Sequence, residues 1–179
     1  HSRKNKLRTP SLHDLNKLYK TGIEKNLFLT NESWEKYIIS VPSRSRSGVI
    51  VVAIQSKPMD SCPADCHYCS DETIAKGAKI DMPRSYTSES PASLRAIRNG
   101  FDGVRQIIDR IGSLYNQGHD ISKVELMVLG GTWSNYPEEY KQTLIRDTFY
   151  AVNCFIDGKY QERERLSLKE EQQINETAK

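Results

Sequence analysis

The sequence contains no long hydrophobic run. None of its apolar stretches approaches the roughly 18 residues needed to cross a bilayer, and no secretory leader with a basic start and an apolar middle is visible. Both absences set the expectation of a cytoplasmic protein with no membrane partner. Charge of one sign is also lacking: 26 Lys and Arg against 23 Asp and Glu leave +3, too little to imply nucleic acid by itself. Cysteine is sparse, with four in 179 residues. Without a secretory context that number argues against a disulfide framework and for a reduced compartment. What remains is ordinary: 37% hydrophobic and 27% charged residues, a composition able to bury a core, at a length that fits one domain with a small appendage. The first residues, His1-Ser2-Arg3-Lys4, lack an initiator Met and read as a tag remnant or a cut. Basic residues gather at 1–8 and at Arg44 and Arg46, whereas 162–176 is of mixed sign.

Along the chain, Leu12, Leu15 and Leu18 predict a short helix over 10–21, capped by Thr9-Pro10 and ended by Gly22. A weaker helix over 31–39 places Trp34, Tyr37 and Ile38 on one side. Residues 41–48 read as a linker with nothing to pack. The β-branched run 49–54 then predicts a strand buried on both faces, as in parallel sheets. A long polar segment, 56–90, carries three of the four cysteines; loops of this length are commonly functional or mobile. From Ser90-Pro91 one continuous helix is predicted, with Ile97, Phe101, Val104, Ile108, Ile111 and Tyr115 as its apolar face and Gly118 as its stop. A second buried strand, 124–129, runs into Gly130-Gly131-Thr132. Pro137 opens a helix to about Phe155 with Ile145, Phe149 and Val152 inward. A very polar last helix spans 160–178, and its scant apolar surface predicts a contribution to assembly more than to local stability. The βαβα order makes a parallel α/β architecture the economical one.

The densest chemical signal is Cys62-Pro-Ala-Asp-Cys66-His-Tyr-Cys69, a C-x3-C-x2-C loop directly after a buried strand. Thiolates are the usual ligands of iron–sulfur clusters, and one tight loop can wrap three of them around a cube. Zinc is the competing reading and wants a fourth ligand. His67 lies between two ligating cysteines and would have difficulty reaching the same metal. Cys154 sits on a helix among apolar neighbours and reads as a small buried hydrophobe. Inert or redox thiols are the remaining alternative.

The spacing resembles that of radical S-adenosylmethionine (SAM) enzymes, in which three cysteines hold a [4Fe–4S] cluster and the fourth iron is chelated by SAM. The resemblance implies that Tyr68, the aromatic residue just before the last cysteine, belongs to the SAM site. It implies the same for Gly130, Gly131 and Thr132, at the C-terminal end of the second strand where α/β folds place ligands. Two glycines let a backbone approach a bound molecule closely.

More specifically, 43–149 resembles the radical-SAM domain of the Elongator catalytic subunit family. The matching words are Arg46-Ser47-Gly48, Ser56-Lys57-Pro58, Ser85-Tyr86-Thr87, the run Pro91 to Arg98, Gly118-His119, Lys123-Val124-Glu125, Gly130-Gly131-Thr132 and Pro137-Glu138-Glu139-Tyr140, in that order. The resemblance implies an incomplete radical-SAM (βα) partial barrel over 43–179 preceded by a helical extension over 1–42. It implies modification of C5 of the wobble uridine of tRNA, with a [4Fe–4S] cluster and SAM as cofactors and acetyl-CoA as co-substrate. Lys123 matches a lysine that contacts acetyl-CoA. Arg95 and Arg98, three apart on one helix and able to grip successive phosphates, match the family's positive surface; Arg44, Arg46 and Arg84 are further candidates for tRNA contact.

Two departures stand out. The first two cysteines are closer together than in the family's eukaryotic and archaeal members, and 70–84 differs from the family's Gly-Pro-rich segment. Nothing resembles the acetyltransferase domain. The expectation is therefore a piece of the enzyme, with an open parallel edge completed by a second polypeptide or a C-terminal half, and with Elongator-like subunits as possible partners. Two alternatives stay open: a non-catalytic, cluster-bearing tRNA-binding module or half of a split enzyme, and a radical-SAM enzyme acting on another substrate.

Overall fold

A computed structural model describes residues 9–59 and 62–178. The fold is mixed α/β, with helices and a small parallel sheet; the basic start, 1–8, lies outside the described residues. Two compact units emerge, one of 9–51 with 111–125 and the other of 52–110 with 126–178.

In the first unit, α1 (Leu12–Glu24) is capped by Ser11 rather than by Thr9-Pro10. The Ser11 side chain accepts from the Asp14 N–H while the Asp14 carboxylate accepts from the Ser11 N–H, a capping box. The helix passes through Gly22 instead of ending there. Gly22 is buried because the Phe28 ring lies over it: a Cβ at that position would stand 2.1 Å from the ring. In α2 (Glu32–Ile38) only Ile38 is buried, and Trp34 and Tyr37 face solvent. The expected linker at 41–48 does pack. It forms a tight turn over Pro42–Arg44, and Ser45 Oγ meets Nδ1 of the buried His119 at 2.9 Å.

The strands fall where the β-branched runs put them: β1 at Ile50–Gln55 and β2 at Val124–Leu129. Ile50 N–H donates to Lys123 O, and Ser56 N–H donates to Leu129 O. The two bonds advance in the same direction along both chains, so the pair is parallel. β1 buries Ile50, Val52 and Ile54. β2 is not buried on both faces as expected; Met127 and Val128 are exposed, because no described element covers them. At the end of β1 the carboxamide of Gln106 accepts from Gln55 N–H at 2.8 Å and donates to Gln55 O at 2.9 Å, occupying both main-chain groups.

The crossover is two helices, not one. α3 (Pro91–Arg98) stops, and α4 (Gly103–Asn116) starts after a break at Gly100 and Phe101, whose φ values are 61° and 57°. Positive φ ends a right-handed helix. The restart shifts the buried column to Val104, Ile107, Ile111 and Leu114, so Ile108 and Tyr115 are only half-buried. Gly118 ends α4 as expected, at φ 88°.

α5 (Glu138–Asn153) also turns a different face inward. Leu144, Thr148 and Ala151 are buried, in place of Ile145, Phe149 and Val152, which are half-buried. A short hairpin, β3 (Phe155–Ile156) and β4 (Lys159–Tyr160), and an extended stretch lead to α6 (Leu168–Thr177). α6 is shorter than expected and docks by a polar route. Glu171, fully buried, takes both guanidinium arms of Arg163 at 2.7 and 2.6 Å, the Asn153 amide at 2.9 Å and the Leu166 N–H at 3.1 Å. A segment expected to matter little for local stability is thus anchored inside its unit.

Candidate functional site

The cysteine loop leaves β1 at its C-terminal end. The Cys69 N–H donates to Cys66 O at 3.0 Å, making a tight turn that brings the second and third cysteines of the motif close along the chain. All three motif thiols are half-buried, whereas Cys154, the C-cap of α5, is buried and its thiol is pushed up by desolvation. Tyr68 projects into solvent at 90% exposure beside the thiols of Cys66 and Cys69, which together raise its phenol above the usual range.

The segment after the motif, expected to be irregular, ties itself down. Ile74 N–H donates to the Asp81 carboxylate at 2.7 Å, Met82 N–H to Glu72 O at 2.8 Å and Ser85 N–H to Ser70 O at 3.0 Å, and Met82 and Pro83 are buried. Arg84 reaches back across this fold. Its Nη1 donates to Asp71 at 3.0 Å and its Nη2 pairs with Asp65, inside the cysteine motif; Lys76 also pairs with Asp71. Nearby, Met59, Cys62, Asp71, Lys76, Asp81 and Arg84 border a cavity of about 390 Å³.

The glycine turn meets the cysteine loop. Thr132 Oγ1 donates to Cys62 Sγ at 3.3 Å. Beneath the turn, Ser56 Oγ and the buried Tyr136 hydroxyl pair at 2.9 Å, and that hydroxyl also accepts from Gly131 N–H at 3.4 Å and donates to Lys57 O at 3.3 Å. Tyr140 stacks on Tyr136 at 5.4 Å between centroids and accepts from Lys57 N–H at 2.8 Å; burial raises its phenol. A Cβ at Gly130 would lie 1.9 Å from Ser56 Oγ, so a larger residue there would push the serine off Tyr136. Sequence reasoning missed Ser56 and Tyr136 as a pair. Their signal was available: a serine directly after a buried strand and a tyrosine five residues beyond the glycines.

Three thiols on one loop are soft donors of the kind that hold iron–sulfur clusters. The Nε of Arg84 beside them is buried and has no partner among the described residues, which suits a group carrying negative charge, so the residues fit such a cluster. Among the described residues no three His, Cys, Asp or Glu side chains converge on one point, as ligands of a single ion would; the ligands of a cube stand at separate corners.

The other expected site residues are dispersed. Arg95 and Arg98 end α3, and Arg98 Nη2 donates to Asp109 at 3.0 Å. Lys123, Arg44 and Arg46 belong to the first unit and are exposed, with Arg44 reaching Gln117 at 3.5 Å. Also in that unit, Lys20 Nζ lies 3.0 Å over the Tyr115 ring and donates to Tyr115 O at 2.5 Å; burial, opposed by Glu35 and Glu24, lowers its ammonium to about 8.

Comparison with known proteins gives a consistent set of relatives. The chain is 38% identical over 136 residues to a tRNA uridine(34) acetyltransferase of Dehalococcoides mccartyi, covering 76% of this chain and 26% of that protein. It is 34% identical over 172 residues to the tRNA uridine(34) acetyltransferase of Methanocaldococcus infernus, covering 91% and 30%. The human Elongator complex protein 3 is 37% identical over 137 residues, 68% of this chain and 24% of the human protein. The chain belongs to the Elongator catalytic subunit family. It spans about a quarter of the length of these Elongator-family relatives. No family model matches it, and no described helix is long and apolar enough to cross a membrane.

Proposed function

We propose that this chain is part of a radical-SAM enzyme that modifies the wobble uridine of tRNA, and that β1, the α3–α4 crossover, β2 and α5 are the first units of a partial barrel. The contact between Thr132 and Cys62 carries the reading, because it joins the cysteine loop after one strand to the glycine turn after the next. Cys62, Cys66 and Cys69 would hold the [4Fe–4S] cluster, and Gly130, Gly131, Thr132 and Tyr68 would meet SAM. When bound, the cluster and SAM would supply a 5′-deoxyadenosyl radical, for which acetyl-CoA, with Lys123 at its phosphates, would be the co-substrate. This chain's own residues shape the site. Tyr136 and Ser56 hold the glycine turn against the strand end, and Tyr140 fixes Lys57. The relatives' names support tRNA uridine(34) as substrate and an Elongator-like set of partner subunits; a cytoplasmic setting is part of the same proposal.

Anaerobic reconstitution followed by assays of SAM cleavage and acetyl-CoA hydrolysis, with and without tRNA, tests the reading. Cleavage of SAM dependent on the three cysteines is the expected result. Loading and tRNA binding without cleavage would instead favour a non-catalytic module.

For tRNA, charge reversal at both Arg95 and Arg98 is expected to weaken binding about tenfold or more and to flatten its salt dependence by about two phosphate contacts. The exposed Lys169 of α6 is the control. Equal losses from both changes would show that only bulk charge is being read.

A further inference from the structure

We propose that Arg84 is a positioning residue of the cysteine loop: it clamps Asp65 to Asp71 and sets a fixed positive charge against the thiolates. The proposal rests on the cluster reading above. Asp65 immediately precedes Cys66 and Asp71 follows Cys69 by two residues, so the two arms of one guanidinium grip the motif on both sides of its last turn. A rigid fork that binds two carboxylates fixes geometry as well as charge.

The burial pattern separates this role from a surface ion pair or a grip on tRNA phosphate. The Arg84 side chain is only 20% exposed and Asp71 19%, whereas Asp65 is 92% exposed. An exposed carboxylate gains little stability from a partner; what the bridge to Asp65 does is hold the backbone beside Cys66 in place. Arg84 is itself seated by the turn that follows, where Ser85 adopts φ 71° and its N–H donates to Ser70 O. The buried Nε–H, unpartnered among the described residues, is a donor waiting for an anion. Asp65, then Asp71 and the Cys69 thiol, all favour the charged guanidinium, and Lys76 shares Asp71 without displacing it.

The test compares wild type, R84Q, R84K and D65N after anaerobic reconstitution, by iron content, rate of iron loss to a chelator, EPR-monitored midpoint potential without SAM, and circular dichroism. Loss of the cation favours the oxidised cluster. R84Q is expected to shift the reduction equilibrium about tenfold, about 59 mV more negative for one electron, and to lose iron severalfold faster. R84K is expected to restore the potential but not the retention, since an ammonium carries the charge without the fork. D65N, altered at an exposed group, is expected to keep the fold and lose iron faster. A wild type that loads while R84Q matches it in potential and retention overturns the role of Arg84 and leaves the cluster reading standing. A wild type that takes up no iron overturns that reading and the clamp with it. Should R84Q fail to fold, wild-type retention in D65N overturns the clamp.

Discussion

Replacing Cys62, Cys66 or Cys69 by Ala is expected to abolish iron binding after anaerobic reconstitution, from about four irons and four sulfides per chain to none. Each of the three thiols is half-buried and reachable, and Cys62 already lies against Thr132 of the glycine turn. Cys154→Ala is expected to leave iron uptake unchanged, because that thiol is buried at the end of α5 and desolvation keeps it protonated. Iron and sulfide analysis with the visible spectrum of the four variants makes the measurement. Stoichiometric zinc without iron in the wild type would sink the cluster assignment.

The second large effect is expected far from the cysteines. Glu171→Gln removes the charge from a buried carboxylate that holds both arms of Arg163, leaving a guanidinium 34% exposed without its counter-ion. Breaking a buried pair of this kind costs about 3 kcal/mol at the lower end of its range, chosen here because Arg163 is not fully enclosed. A loss of that size lowers Tm by roughly 10 °C in a chain of this length. The same pair gives the fold an acid limit. Hydrogen bonds from Arg163 lead the effects that hold the Glu171 carboxyl at about 2 against an ordinary 4.5. A depressed folded value means the stabilisation is complete above pH 4.5 and is lost as pH falls toward 2. Wild-type Tm should therefore drop steeply across that window, and the Gln variant should show a flatter profile. Parallel profiles for the two proteins would remove the pair from the account.

The strands were readable to within a residue because six consecutive apolar residues at 49–54, and five of the six at 124–129, leave little choice of structure. The helices were less readable where apolar periodicity continued through a break. Ile97, Phe101 and Val104 keep a helical spacing across Gly100, but Phe101 takes a left-handed conformation, and the column after it rotates toward Ile107 and Leu114. In α5 the large residues Ile145 and Phe149 drew the prediction, whereas the buried face includes Thr148 and Ala151. Composition along α6 looked entirely solvated because the residue that anchors it is a glutamate, and its partner lies eight positions earlier on an extended segment. For the site, the spacing of the cysteines and the position of Gly130 and Gly131 were legible. The serine–tyrosine pair beneath them left only an indirect signal, two polar residues just past separate strand ends, and the reach of Arg84 left none, since it depends on how a long irregular loop folds back on itself.

The Gln106 carboxamide on Gln55 gives the parallel sheet a direction of growth. In a parallel pair the residues of β1 that bond to β2 alternate with residues whose main-chain groups face away, and Gln55 is one of the latter. A side chain from α4 satisfies its N–H and C=O in the way an incoming backbone would, so that end of the sheet is plugged like a capped filament. Any third strand, whatever polypeptide supplies it, meets an occupied site beside Gln55, whereas among the described residues no strand pairs with the far side of β2. Polymerising edge to edge through β1 would first have to displace Gln106, which blunts one common route from exposed sheet edge to aggregate.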